Sequence, residues 1–188
     1  MARHKTFDKD QALDAAINVF REHGYEGTSA AMLVQAMEIG RQSLYDTFGD
    51  KWQLYCSALK RYVASEAQAH VAALRSTARG IEGIQAMLDR VITNARQACL
   101  GVSSICEFGR SRPELSDIQD GAGHVIQSAI RQRVRDAQAQ GDIAPELDPD
   151  EVAGFVMANI ASIRIAARGG ASADQLDALG RLLMRALQ

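Results

Sequence analysis

Proline and aromatic residues are scarce: of 188 residues, three are Pro, one is Trp, four are Tyr and five are Phe. Sheets draw on aromatic and β-branched side chains, whereas this chain is rich in Ala, Leu, Gln and Arg, with apolar residues recurring every three or four positions. That pattern excludes a β architecture and predicts an all-α protein of about nine helices. Cysteine is sparse as well. Cys56, Cys99 and Cys106 are odd in number and fit no metal spacing, which argues against a disulfide framework and for free thiols in a reducing compartment. No long apolar run occurs, because Asn159, Ser162 and Arg164 interrupt the most apolar stretch, residues 152–167. With no apolar signal region in the first eight residues, the expectation is a soluble, cytoplasmic chain without a membrane partner.

A positive charge excess is also missing. The formal net charge is -2, and in the first 51 residues Arg3, Lys5, Lys9, Arg21, Arg41 and Lys51 face Asp8, Asp10, Asp14, Glu22, Glu26, Glu38, Asp46 and Asp50. Composition therefore carries no nucleic-acid signature, and any such role has to rest on where particular side chains point. Catalysis lacks its parts too. His4, His23, His70 and His124 are scattered, and no phosphate loop, nucleophile elbow, zinc helix or dinucleotide fingerprint occurs, so no catalytic residue, cofactor or metal is expected.

What is present is organised around residues 38–51. Leu44 and Phe48, four apart, share an inward face, which leaves Arg41, Gln42, Tyr45 and Asp46 outward with Ser43 and Thr47 beside them. Gly49 closes this short helix and Asp50 caps the next. Lys51 then lies in a first turn, where a cation is disfavoured unless an anion such as a phosphate meets it. Upstream, Asp8 and Gln11 form a capping-box variant, with Phe7 able to staple against Ala12, and start a helix that His23-Gly24 ends. Ser29 caps a second helix, residues 30–37, which buries Leu33 and Met37, and a tight turn at Glu38-Ile39-Gly40 leads into the third. Two short helices joined by a tight turn and braced by a longer one match a helix-turn-helix.

Phe20, Gly24, Tyr25, Thr28, Ser29, Ser43-Leu44-Tyr45, Phe48 and Lys51 resemble the amino-terminal signature of the TetR family, densely over residues 7–55. The resemblance implies a ligand-responsive, homodimeric transcriptional regulator, most often a repressor, with residues 1–50 binding a palindromic double-stranded DNA operator. Residues 51–188 would then form a helical effector-binding and dimerisation domain. It implies base contacts from Arg41 and Gln42 and phosphate contacts from Thr28, Ser29, Tyr45 and Lys51, with Ser43, Asp46 and Thr47 on the same DNA-facing surface. Two departures stand out: family members usually have glycine where this chain has Glu38, and a serine or threonine cap where it has Gly40. Together with the acidic balance, they keep open a helical sensor or adaptor of the same fold without DNA binding.

Beyond residue 51 the apolar spacing predicts a helix to about Ala78, a break bracketed by Gly80 and Gly83, and a helix ending near Gln97. A small-residue-rich segment, 99–109, precedes a polar loop at 110–113 and a helix capped near Ser116. Glu107 and His124 are polar candidates for a ligand cavity. An apolar or aromatic small-molecule effector would lie among Tyr62, Met87, Val91, Ile105, Phe108 and His124. The rival trigger is thiol chemistry at Cys99 or Cys106; on one helix these lie seven residues and so about 10.5 Å apart, too far for a disulfide. Residues 150–168 form a helix apolar nearly all round, which needs two partners. The resemblance places the dimer-forming helices there and at 173–187, so the homodimer is expected to form through residues 150–187.

Overall fold

In the computed structural model, which describes residues 7–188, the chain is helical, with no strand among the described residues. The helices are α1 (Lys9–His23), α2 (Ala30–Met37), α3 (Arg41–Phe48), α4 (Lys51–Leu74), α5 (Gly80–Thr93), α6 (Leu100–Phe108), α7 (Pro113–Ala139), α8 (Pro149–Arg168) and α9 (Ala173–Ala186). Arg3 and Lys5 of the charge count, and His4 of the histidines, lie outside the described residues.

Local chemistry sets most of the ends. The Asp8 carboxylate accepts from the N–H groups of Asp10 at 2.8 Å and Gln11 at 3.2 Å, satisfying donors that the first turn of α1 leaves open. Ser29 does the same for α2, accepting from the Met32 N–H at 3.2 Å, and Asp50 accepts from the Gln53 N–H at 2.8 Å at the start of α4. Asp148 caps α8 with Pro149 in its first turn, and a full capping box, Ser172 with Gln175, starts α9. Between α2 and α3 the turn stays where expected, and the strain falls on Glu38. Its φ of 54° makes it the one non-glycine residue in the left-handed region among the described residues. Such a conformation costs an L-residue about 1–2 kcal/mol.

Several boundaries differ from the sequence reading. α4 ends at Leu74 and α5 at Thr93. Gly80 and Gly83 do not bracket a break; α5 begins at the first and contains the second. A Cβ at Gly80 would stand 2.3 Å from the Arg133 carbonyl oxygen, and one at Gly83 2.3 Å from that of Leu74. Both glycines therefore mark close backbone approach rather than a turn. α7 starts at Pro113 instead of near Ser116, since proline in a first turn lacks only an N–H that would be unpaired anyway.

Packing sorts the helices into two units that do not follow chain order. One comprises residues 7–63 with 99–119, and the other 64–98 with 120–188. The first is built on Phe20, Leu33, Leu44, Leu54, Tyr55, Leu59, Leu100 and Leu115, so α6 and the start of α7 share a core with α1–α3. The second is built on Leu74, Ile84, Met87, Leu88, Val91, Ile130, Val134, Val156, Ile163 and Leu183. No helix among the described residues is long and apolar enough to cross a membrane.

Candidate nucleic-acid interface

α3 is held by Leu44, which is buried, and Phe48, which is half-buried. These anchors turn Arg41, Gln42, Tyr45 and Asp46 to solvent, with Ser43 and Thr47 at the margin. The outer side chains pair along the helix. Gln42 Nε2 donates to Asp46 Oδ1 at 2.8 Å, and the Arg41 guanidinium lies 5.9 Å from the centroid of the Tyr45 ring. Both links follow the four-residue spacing of neighbours on one helix face, a signal present in the sequence. The Gln42 amide is thus oriented along the outer face by its bond to Asp46.

The flanking phosphate candidates separate. Ser29 is exposed, at the start of α2. Thr28 is not presented at all: it is 2% exposed and its hydroxyl donates to the Gly24 carbonyl oxygen at 2.6 Å. The phosphate contact expected of its side chain gives way to a structural bond that holds the turn before α2. Lys51, half-buried, sets its Nζ 4.3 Å from the centroid of the Tyr25 ring, so the aromatic face shares the cation that the helix start disfavours.

Tyr25 belongs to a cluster that the sequence reading missed. Its ring meets Trp52 edge-on at 5.3 Å, Tyr55 at 5.2 Å and Phe108 at 5.7 Å, while Phe20 meets Tyr55 edge-on at 5.0 Å. Burial pushes the Tyr55 hydroxyl up to about 12, so it stays neutral. These residues come from α1, the following turn, α4 and α6, which is why no linear pattern revealed them. Glu107 joins the same region. Its carboxylate accepts from the backbone N–H groups of Tyr25 at 3.0 Å and Glu26 at 2.8 Å. It therefore braces the chain between α1 and α2 and is not a cavity-lining residue.

The six candidate effector contacts are shared between the two packing units. Tyr62 and Phe108 pack at the edge of the first core, whereas Met87 and Val91 are buried side chains of the second. Ile105 and His124 are exposed. Periodicity placed apolar residues on helix faces but could not say which core, if any, each one fills, and Ile105 fills none. Cys99 precedes α6 and is half-buried; Cys106, on α6, is exposed.

A buried-anchor helix presenting only hydrogen-bonding groups, set behind a tight turn and braced by α1, defines a helix-turn-helix DNA-binding protein. The comparisons with known proteins agree. Residues 12–57 match the model for bacterial regulatory proteins of the tetR family, and residues 80–182 match a tetracyclin repressor-like C-terminal domain. The HTH-type transcriptional repressor ComR of Escherichia coli K12 is 33% identical over 180 residues, covering 93% of this chain and 86% of that protein. The uncharacterized HTH-type regulator YezE of Bacillus subtilis 168 is 31% identical over 182 residues, 94% of each chain. Among solved structures, a cysteine mutant of the TetR family transcriptional regulator CifR, complexed with operator DNA, superposes with a TM-score of 0.86 at 28% identity. That alignment covers 100% of both chains. The chain belongs to the TetR family of transcriptional regulators. Its relatives are regulators, not enzymes.

Proposed function

We propose that this regulator is a cytoplasmic repressor that binds a palindromic operator as a homodimer, with residues 1–50 on the DNA and residues 51–188 serving effector binding and dimerisation. The observation that carries it is the outer face of α3, where Arg41, Gln42, Tyr45 and Asp46 stand exposed over a buried Leu44. Arg41 and Gln42 read base edges; Ser43, Asp46 and Thr47 border them; Ser29, Tyr45 and Lys51 hold phosphates. The name of ComR supports repression, and the CifR complex supports an operator partner. Dimerisation runs through α8 and α9, and support comes from Phe155, Ile165 and Leu182, large apolar side chains left exposed there.

The test is binding to the DNA upstream of the chain's own gene, measured against salt. Lys51→Ala should weaken all sequences alike and flatten the salt slope by about one unit, while Arg41→Ala should cost about 1–3 kcal/mol at particular base pairs. Equal loss of specific and non-specific binding in both variants would refute the division of roles. Absence of any preference for that DNA would favour the sensor or adaptor reading.

A second reading of the trigger is thiol modification. Cys106 is exposed and adjoins Glu107, which holds the backbone before α2, so an adduct on it acts next to the bracing contact. Replacing Cys99 and Cys106 by serine should abolish operator release by electrophiles; unchanged release excludes the thiol trigger.

A further inference from the structure

Within the second packing unit, Glu66 and His70 of α4, Arg90 of α5 and Arg164 of α8 meet inside a largely apolar core. Glu66 Oε1 accepts from Arg90 Nη2 at 2.8 Å, and Glu66 Oε2 accepts from Arg164 Nη2 at 3.0 Å and Arg90 Nη1 at 3.4 Å. One carboxylate therefore serves two guanidinium groups. His70, whose Nδ1 is 3.5 Å from Arg90 Nη1, supplies no counter-charge to the two guanidinium groups. Burial, followed by the Arg90 charge, lowers its pKa to about 4, so it is neutral at physiological pH. The cluster holds two positive charges against one negative.

An excess charge in such surroundings is unfavourable unless something compensates it. Arg164 is only 4% exposed, and among the described residues the one hydrogen bond of its guanidinium is that from Nη2 to Glu66. A guanidinium carries five N–H donors in a planar fork suited to a carboxylate. Glu66 and Arg90 are each about a quarter exposed, so the cluster has an open edge.

The geometry points to a small-molecule effector with one carboxylate and an apolar body, its anionic group bound by Arg164 and Arg90 beside Glu66. The apolar body would be taken up by side chains of the same three helices, Ala67, Met87, Val91 and Ile160, which belong to the surrounding core. This rests on the regulator reading above and replaces the purely apolar effector expected from sequence. Neutral apolar compounds leave the excess charge unmet and are discriminated against for that reason.

The probes are benzoate and octanoate against benzyl alcohol and octan-1-ol, with binding measured by calorimetry and thermal shift on the full chain without DNA. The acids should bind and raise Tm, and the alcohols should not. Arg164→Gln should weaken the acids about tenfold or more, the loss of a charge-assisted hydrogen bond. Glu66→Gln should strengthen them, because it removes the competing carboxylate and leaves both cations for the ligand. Since Arg164→Gln can fail to fold, the sign of the Glu66→Gln effect is decisive. A purely structural ion cluster predicts weaker or unchanged acid binding in that variant, and that result, or equal binding of acids and alcohols, overturns the proposal. Failure of both acids to bind overturns it as well. Operator affinity is then measured separately. Acids that bind without releasing DNA leave the site standing and refute the effector role, whereas intact operator binding with no acid bound refutes the site alone.

Discussion

At the scale of single residues, the same side-chain type does different work according to what its neighbours leave unsatisfied. Thr28 looks in sequence like a phosphate ligand, yet its hydroxyl is committed to the Gly24 carbonyl oxygen. Thr28→Val should lower unfolding stability by about 1–2 kcal/mol, the value of a buried hydrogen bond, while the folded variant keeps the wild-type salt slope of operator binding. A flattened slope would restore the phosphate role. His70 makes a pH prediction. Its folded pKa, about 4, lies below the ordinary 6.5, so protonation favours the unfolded chain. Stability is then complete above pH 6.5 and falls as the pH drops toward 4, by a total of the order of 3 kcal/mol. Glu66 moves the same way, but lower on the scale. Burial raises its pKa, but the Arg90 hydrogen bond and the charges of Arg90, Arg164 and His70 outweigh it, so the net shift is downward and its contribution is lost only in acid. Urea titrations of wild type and His70→Gln between pH 7 and 5 isolate the histidine. The variant should lose the slope there.

Among the elements, α3 shows how little a recognition helix contributes to its own stability. It has eight residues, no side-chain cap at Gly40 and a strained residue in the preceding turn. Isolated helices of that length are marginal, so its position depends on Leu44 and Phe48. Glu38→Gly relieves about 1–2 kcal/mol of left-handed strain and costs about 0.5–1 kcal/mol in chain entropy. A net gain of about 0.5–1 kcal/mol is expected, read as a higher urea midpoint at unchanged m-value. A loss would mean that the Glu38 side chain makes a compensating contact in solution. α6 is the converse case: it acts on the DNA-binding unit at a distance in sequence, because Glu107 fixes the backbone at Tyr25 and Glu26. Glu107→Gln keeps an acceptor but loses its charge, and should weaken operator binding while leaving α3 unaltered in sequence and cap.

For the whole molecule, assembly is the testable property. On α8 the exposed positions Phe155, Ala158, Ser162 and Ile165 recur at spacings of three and four and so form one stripe, and Leu182 of α9 is 61% exposed. Phe155→Asp should split the proposed dimer, shifting the sedimentation coefficient at micromolar concentration, and should cut operator affinity because each half-site is then bound alone. A wild-type chain that sediments as a monomer would remove the interface. α4 and α7 each run from one packing unit into the other, so the division into units is not a division of the chain at a linker.

The sequence by itself determined the helices and the outward face of α3. Caps at Asp8, Ser29 and Asp50 and apolar residues three and four apart are local signals, set by hydrogen bonds within a turn and by which side of a cylinder is apolar. The placement of Gly24, Tyr25, Ser43-Leu44-Tyr45 and Lys51 carried the family resemblance, which those local signals alone do not supply. Only the tertiary structure decided which distant groups satisfy one another. Glu107 reaches back more than eighty residues to Glu26, Tyr25 gathers Trp52, Tyr55 and Phe108, and Arg90 and Arg164 converge on Glu66. It also showed Gly80 and Gly83 as points of backbone contact and separated Met87 and Val91 from Tyr62 and Phe108. Those outcomes depend on which helix faces meet, and the pairing of faces is not encoded in the periodicity of any one helix.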